Sequence, residues 1–163
     1  MEHELKSGLE FARPGGVPLT GDLYLPSGVA RAPVVVSVHG GGWCLGNAAM
    51  HVHWGRYLAE RGIALFSIDY RLAAQGRKAY PEAVHDVRSA IQYLRSHGQS
   101  LKIDPERIAL FGDSAGAHLA ALVALAGDKP PFGARGETPT RVKAVVGVYG
   151  VYDLAAQWQH DLL

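Results

Sequence analysis

Gly112-Asp113-Ser114-Ala115-Gly116 follows the apolar run Ile108-Ala109-Leu110-Phe111 and leads into Ala117-His118-Leu119-Ala120-Ala121-Leu122-Val123-Ala124-Leu125-Ala126. A buried strand, a sharp turn and an alanine-rich helix in that order place a serine on the turn itself. Ser114 is thereby forced into strained backbone geometry that pushes its hydroxyl outward. Glycines two positions either side let strand and helix backbones approach without a Cβ clash. A Gly-x-Ser-x-Gly pattern arises readily by chance in a chain with 20 glycines, so the flanking sequence has to decide what it means.

Upstream, Pro33-Val34-Val35-Val36-Ser37-Val38 and Ile63-Ala64-Leu65-Phe66-Ser67-Ile68 are continuous apolar runs. Their composition predicts strands buried on both faces, as in a parallel sheet. Between them Trp54-Gly55-Arg56-Tyr57-Leu58-Ala59-Glu60-Arg61 has helical spacing and stops at Gly62, a C-cap position. Pro81 reads as a first-turn residue of a second helix. Its apolar stripe is Ala83, Val84, Val87, Ala90, Ile91 and Leu94, and it ends near Gly98. Leu9-Glu10-Phe11 and Leu19-Thr20-Gly21-Asp22-Leu23-Tyr24-Leu25 alternate around Pro14-Gly15-Gly16, which predicts an antiparallel hairpin. A glycine- and proline-rich loop after the Ser114 helix leads to a last strand over residues 142–149. The alternation of strands and helices indicates α/β architecture with a doubly wound, mostly parallel sheet, as one domain over residues 1–163 that ends after about the sixth strand.

Composition narrows the partners. The formal net charge is +1, with no block of like charge, so nothing points to nucleic acid or an anionic membrane. The single cysteine, Cys44, cannot form an intrachain disulfide, which suits a reducing compartment, and the first residues lack the apolar core of a signal peptide. No apolar stretch approaches membrane-spanning length. The expectation is a cytoplasmic protein acting on a small molecule, with no cofactor and no metal.

Ligands of such sheets bind beyond the carboxyl ends of the strands, and three polar or glycine-rich segments fall there: residues 39–43, 69–72 and 112–116. His39-Gly40-Gly41-Gly42-Trp43 offers a backbone free to turn its amides toward an oxygen. We nominate the amides of Gly41, Gly42 and Ala115 as an oxyanion hole. Ala115 adds the partial positive charge of a helix N-terminus. When a serine attacks an ester carbonyl, each such donor stabilises the developing oxyanion by about 3 kcal/mol.

His39–Trp43, Asp69-Tyr70-Arg71-Leu72, Asp104-Pro105-Glu106-Arg107-Ile108 and Gly112-Asp113-Ser114-Ala115-Gly116, in this order and spacing, resemble the α/β-hydrolase esterases of the hormone-sensitive-lipase-like group. The run from Asp113 to Ala120 is also similar to bacterial feruloyl-esterase-like and arylformamidase-like relatives. The resemblance implies a carboxylic-ester hydrolase acting on small acyl or aryl esters, with Ser114 as nucleophile. It also implies a triad acid and histidine after later strands. This chain ends at Leu163, so the resemblance implies a sheet lacking its last strands and the usual acid and histidine. Asp153, just past the last strand, and His160, in the tail, are the candidate acid and base. A terminal tail offers little of the preorganisation a general base needs. Such a chain is then an impaired esterase, an inactive binding or assembly module, or half of an enzyme completed by a second chain.

The remaining polar residues read structurally. His39 is expected to hold the oxyanion loop and His118 to pack. Asp113 should orient local backbone, and Asp69 should tether a loop, with Arg71 as a partner. His85 and Asp86 carry no chemistry, and His51 and His53 read as surface loop histidines. Trp43 is expected at a pocket wall, Trp54 in the core, and Cys44 as apolar filler. The last strand, with Ala144-Val145-Val146-Gly147-Val148 nearly free of charge, is expected to form an open edge that drives homo-oligomerisation, unless the tail folds over it as a short helix.

Overall fold

The alternating segments near the start pair as an antiparallel hairpin of β1 (His3–Ala12) and β2 (Leu19–Pro26). The computed structural model describes residues 2–129 and 138–161. The two apolar runs become β3 (Ala32–Val38) and β4 (Ala64–Ile68), joined through α1 (Val52–Ala59). They lie parallel, as expected for strands covered on both sides. α2 (Glu82–His97) precedes β5 (Ile103–Asp113), and α3 (Ala115–Ala126) follows it after the single residue Ser114. β6 (Val145–Val148) and α4 (Leu154–Asp161) complete the described chain. The six strands form one mixed sheet in the order β1-β2-β4-β3-β5-β6, with β2 antiparallel to β4 and the last four strands mutually parallel.

Strand alternation sends neighbouring side chains to opposite faces. Leu65 packs with Tyr24 and Ala59 under α1. Phe66, one residue later, joins the larger core with Val34, Val36, Val38 and Leu110 beneath α2 and α3. The apolar stripe read from the sequence of α2 is fully buried there, and each such Leu, Ile or Val contributes roughly 1.5–3 kcal/mol.

Four expectations need adjustment. Pro81 is the N-cap of α2, with φ −89° and ψ 1°, and the helix begins one residue later. The last strand is shorter than 142–149. Its pairing begins where the Lys143 amide donates to the Ile108 carbonyl, and it stops where Tyr149 turns the backbone to φ 42°. Trp54 is 48% exposed, not core: it leans on Phe111 and Tyr57 at the margin of α1. The tail does form a helix, yet Val146 remains 56% exposed, so α4 leaves that edge of the sheet uncovered.

The crossing of α3 over β3 sets the position of the turn. A Cβ on Gly116 would stand 2.0 Å from the Val38 carbonyl oxygen and 2.6 Å from that of His39, both backbone atoms that cannot swing away. Gly116→Ala is therefore expected to destabilise the fold by about 1–3 kcal/mol through overpacking. Leu125→Ala on the same helix, where Leu125 is 82% exposed, should stay within about 0.5 kcal/mol of the parent. Urea unfolding of the two variants checks this, and equal midpoints would contradict the close packing.

Candidate functional site

Ser114 occupies the one-residue turn between β5 and α3 with φ 49° and ψ −119°, a region that non-glycine residues enter at a cost of roughly 1–3 kcal/mol. Its amide donates to the Val148 carbonyl at 2.9 Å, which fixes the turn to β6. Its side chain is half-buried and makes no hydrogen bond among the described residues. The backbone of the glycine-rich loop 39–43 lies directly beside it: a Cβ on Gly40 would come 3.2 Å from the Ser114 Cβ.

That loop folds back on itself. Gly41 has φ 115°, and its carbonyl accepts from the Cys44 and Leu45 amides at 3.1 and 2.9 Å. A side chain there would strike the Leu45 carbonyl at 2.2 Å, so only glycine fits. The Gly41 and Gly42 amides have no hydrogen-bond partner among the described residues. Ala115 opens α3, where an N–H has no intrahelical acceptor. Two unengaged amides on this loop and one at the start of α3 thus belong to the segments that adjoin the Ser114 turn, and such donors can receive an oxyanion.

Asp113 ties these pieces together. Its Oδ1 accepts the Gly40 amide at 2.9 Å and Nε2 of His51 at 2.9 Å. A carboxylate can only accept, so the His51 proton is on Nε2, and Nδ1 accepts the hydroxyl of Ser37 in β3. Burial lowers the His51 pKa against the opposing pull of Asp113, and the ring is neutral at pH 7. This corrects the reading of His51 as a surface residue: it is 5% exposed. The short 3-10 turn Ala48–His51 that carries it is also held by Ser67 Oγ to the Ala48 carbonyl at 2.6 Å and by the Ala48 amide to Asp69 Oδ1 at 2.8 Å. Asp113 does orient backbone, as expected, and it also engages a histidine that sequence reasoning missed. Ser37 and Ser67, polar residues inside buried apolar strands, were the readable signal that something must satisfy them.

His39 holds the loop as expected. Its Nδ1 donates to the Gly40 carbonyl at 2.7 Å and its ring stacks on Tyr70 at 4.4 Å, while the Tyr70 hydroxyl donates to the His39 carbonyl at 3.0 Å. Burial raises the Tyr70 pKa and lowers that of His39, so both rings are uncharged supports. Asp69 tethers, but to the Ala48 amide and the Thr20 hydroxyl. Arg71 pairs instead with buried Asp86, which accepts both the Arg71 backbone amide and its guanidinium. Cys44 is exposed and fills nothing.

Trp43 stands where expected, in the wall of a cavity of about 630 Å³ beside the loop, with the His118 ring perpendicular to it at 5.4 Å. The candidate acid, Asp153, makes no contact with Ser114 among the described residues. Asp153 is exposed and caps α4, accepting the Ala155 and Ala156 amides at 3.0 and 2.9 Å. The side chain of His160 lies outside the described residues. No described helix is long and apolar enough to cross a membrane.

Known proteins resemble this chain in sequence and fold. Esterase LipC of Mycobacterium tuberculosis is 40% identical over 127 residues, which cover 75% of this chain and 30% of LipC. Isoprenylcysteine alpha-carbonyl methylesterase ICME of Arabidopsis thaliana is 38% identical over 138 residues, 82% of this chain and 31% of that protein. The chain thus spans less than a third of the length of these curated relatives. Among solved structures, the native thermophilic esterase Est2 of Thermogutta terrifontis superposes with a TM-score of 0.75 at 29% identity, over 91% of this chain and 53% of that one. Residues 21–161 match the BD-FAE family. Fold, ordered motifs and relatives agree: the chain belongs to the BD-FAE family and carries the α/β-hydrolase esterase fold.

Proposed function

We propose that this chain is built for serine-dependent hydrolysis of small acyl or aryl carboxylic esters, with Ser114 as nucleophile and the Gly41, Gly42 and Ala115 amides as the oxyanion hole. The observation that carries the reading is the pairing of a positive-φ serine, φ 49°, with unengaged amides on the adjoining loop and helix start. Attack of the Ser114 hydroxyl on the ester carbonyl would form a tetrahedral oxyanion facing those amides and expel the alcohol. Water would then release the acid from the acyl-enzyme. Both steps need a group to take and return a proton, and Ser114 has no side-chain hydrogen bond to such a group among the described residues. Slow turnover is part of this reading. An oxyanion hole and binding alone can sustain roughly 10³–10⁴-fold over water.

The same observation favours a second reading, in which the chain keeps the pocket as a binding or assembly module, or a second chain supplies the base that no described residue presents to Ser114. A fluorophosphonate probe and a short-chain aryl ester separate the readings. The esterase reading predicts covalent labelling and measurable hydrolysis by the parent protein, both lost in Ser114→Ala. Equal hydrolysis by parent and variant, with no labelling, would favour the module.

We also propose self-association through β6. This strand has the described strand β5 on one side only, and Val145 and Val146 are 38% and 56% exposed. An unpaired apolar edge recruits another strand. A cytoplasmic setting belongs to the same proposal and is consistent with the exposed, unpaired Cys44. Sedimentation velocity should show a concentration-dependent oligomer that Val146→Lys shifts to monomer. A parent protein that stays monomeric at high concentration contradicts it.

A further inference from the structure

His118 is the polar group that the esterase reading leaves without a task. It stands on α3, one turn beyond Ser114, in the wall of the 630 Å³ cavity, where its own backbone amide donates to the Ser114 carbonyl at 3.2 Å. The volume falls in the range of about 300–1,000 Å³ typical of small-molecule sites. Around the imidazole the wall is apolar: Gly42 and Trp43 from the oxyanion loop, Leu119 and Leu122 from α3, and Leu154 from the start of α4. Lys78 and Tyr80 also contribute to the wall, but both are exposed to solvent.

The two ring nitrogens of His118 differ. Nδ1 is buried with no hydrogen-bond partner, whereas Nε2 makes no hydrogen bond among the described residues but keeps solvent access. Burial lowers the pKa of the ring, so it is neutral at pH 7 and carries one proton. A proton placed on Nδ1 would be a buried donor with no acceptor, which costs its full desolvation, whereas on Nε2 it can reach solvent or a ligand. The lone pair therefore falls on Nδ1 and the proton on Nε2, the nitrogen that a ligand can reach. Trp43, perpendicular to it at an interplanar angle of 86°, packs against the ring.

We propose that His118 is a specificity-determining hydrogen-bond donor, whose Nε2–H binds an acceptor oxygen, ether or carbonyl, carried by the apolar acyl or alcohol group that fills this cavity. That the ligand is an ester rests on the Ser114 reading above. The donor itself rests only on the cavity and on the two nitrogens. A pure hydrocarbon fills the same volume but dewets the N–H and leaves it unpaired, so the site selects against it.

The test uses binding rather than turnover. Anisole and ethylbenzene have nearly the same shape and differ in one acceptor oxygen. Their affinities are measured by ligand-observed NMR titration on Ser114→Ala protein, with and without His118→Phe, and ¹⁵N NMR of the parent protein reads the His118 tautomer. The anisole-to-ethylbenzene affinity ratio should fall about threefold to tenfold on His118→Phe, the size of one net hydrogen bond, and His118→Gln should retain part of the preference. The proton should be found on Nε2. An unchanged ratio, no saturable binding of either probe, or a proton on Nδ1 overturns the proposal. None of these readouts involves ester hydrolysis, so the Ser114 reading stands or falls separately, on labelling and turnover.

Discussion

The carboxylate of Asp113 is the contact on which the candidate site depends. Four segments distant in the chain meet at it: the Gly40 amide of the glycine-rich loop, the His51 imidazole of the 3-10 turn before α1, the Tyr149 hydroxyl just past β6, and the end of β5, from which Asp113 itself projects. Hydrogen bonds to an ionised acceptor are worth about 1.5–3 kcal/mol each, more than neutral ones. Asp113 immediately precedes Ser114, so whatever fixes this carboxylate also fixes the loop relative to the turn. His51 passes the constraint on to Ser37 in β3, and Ser67 and Asp69 anchor the other end of the same 3-10 turn. The site is thus referenced to the central parallel strands rather than to flexible loops, which suits a rigid constellation.

Strain and close packing supply the second half of that rigidity. The φ of 49° at Ser114 is tolerated because both its neighbours are locked, with β5 paired on either side and α3 pressed onto the end of β3 through Gly116. The same contact that crowds Gly116 against the Val38 and His39 carbonyls brings the start of α3, and hence the Ala115 amide, next to the glycine-rich loop that His39 begins. Packing and electrostatics therefore act on the same few residues, and a change that loosens one disturbs the other.

Much of this was legible in the chain because it is local. The buried runs of β3 and β4, the apolar stripe of α2 and the strand, serine and helix sequence around Ser114 each announce themselves within a few residues, and all form as read. His51 was not legible. Its partners are Ser37, 14 residues away, and Asp113, 62 residues away, and no short-range pattern links them. Arg71 was matched to the wrong acid for the same reason: α2 brings Asp86 to its guanidinium, whereas Asp69, two residues away, is engaged by Ala48 and Thr20. Trp54 misled because helical spacing marks which residues share a face and not how far the sheet extends beneath that face.

Amide hydrogen exchange on Asp113→Ala, read residue by residue, tests most directly whether this carboxylate holds the loop. The account predicts that exchange at Gly40 accelerates about tenfold or more, as expected for loss of one charge-assisted hydrogen bond, while Val87 and Ile91 in the buried face of α2 keep their protection. Unchanged protection at Gly40 in a folded Asp113→Ala protein would contradict it.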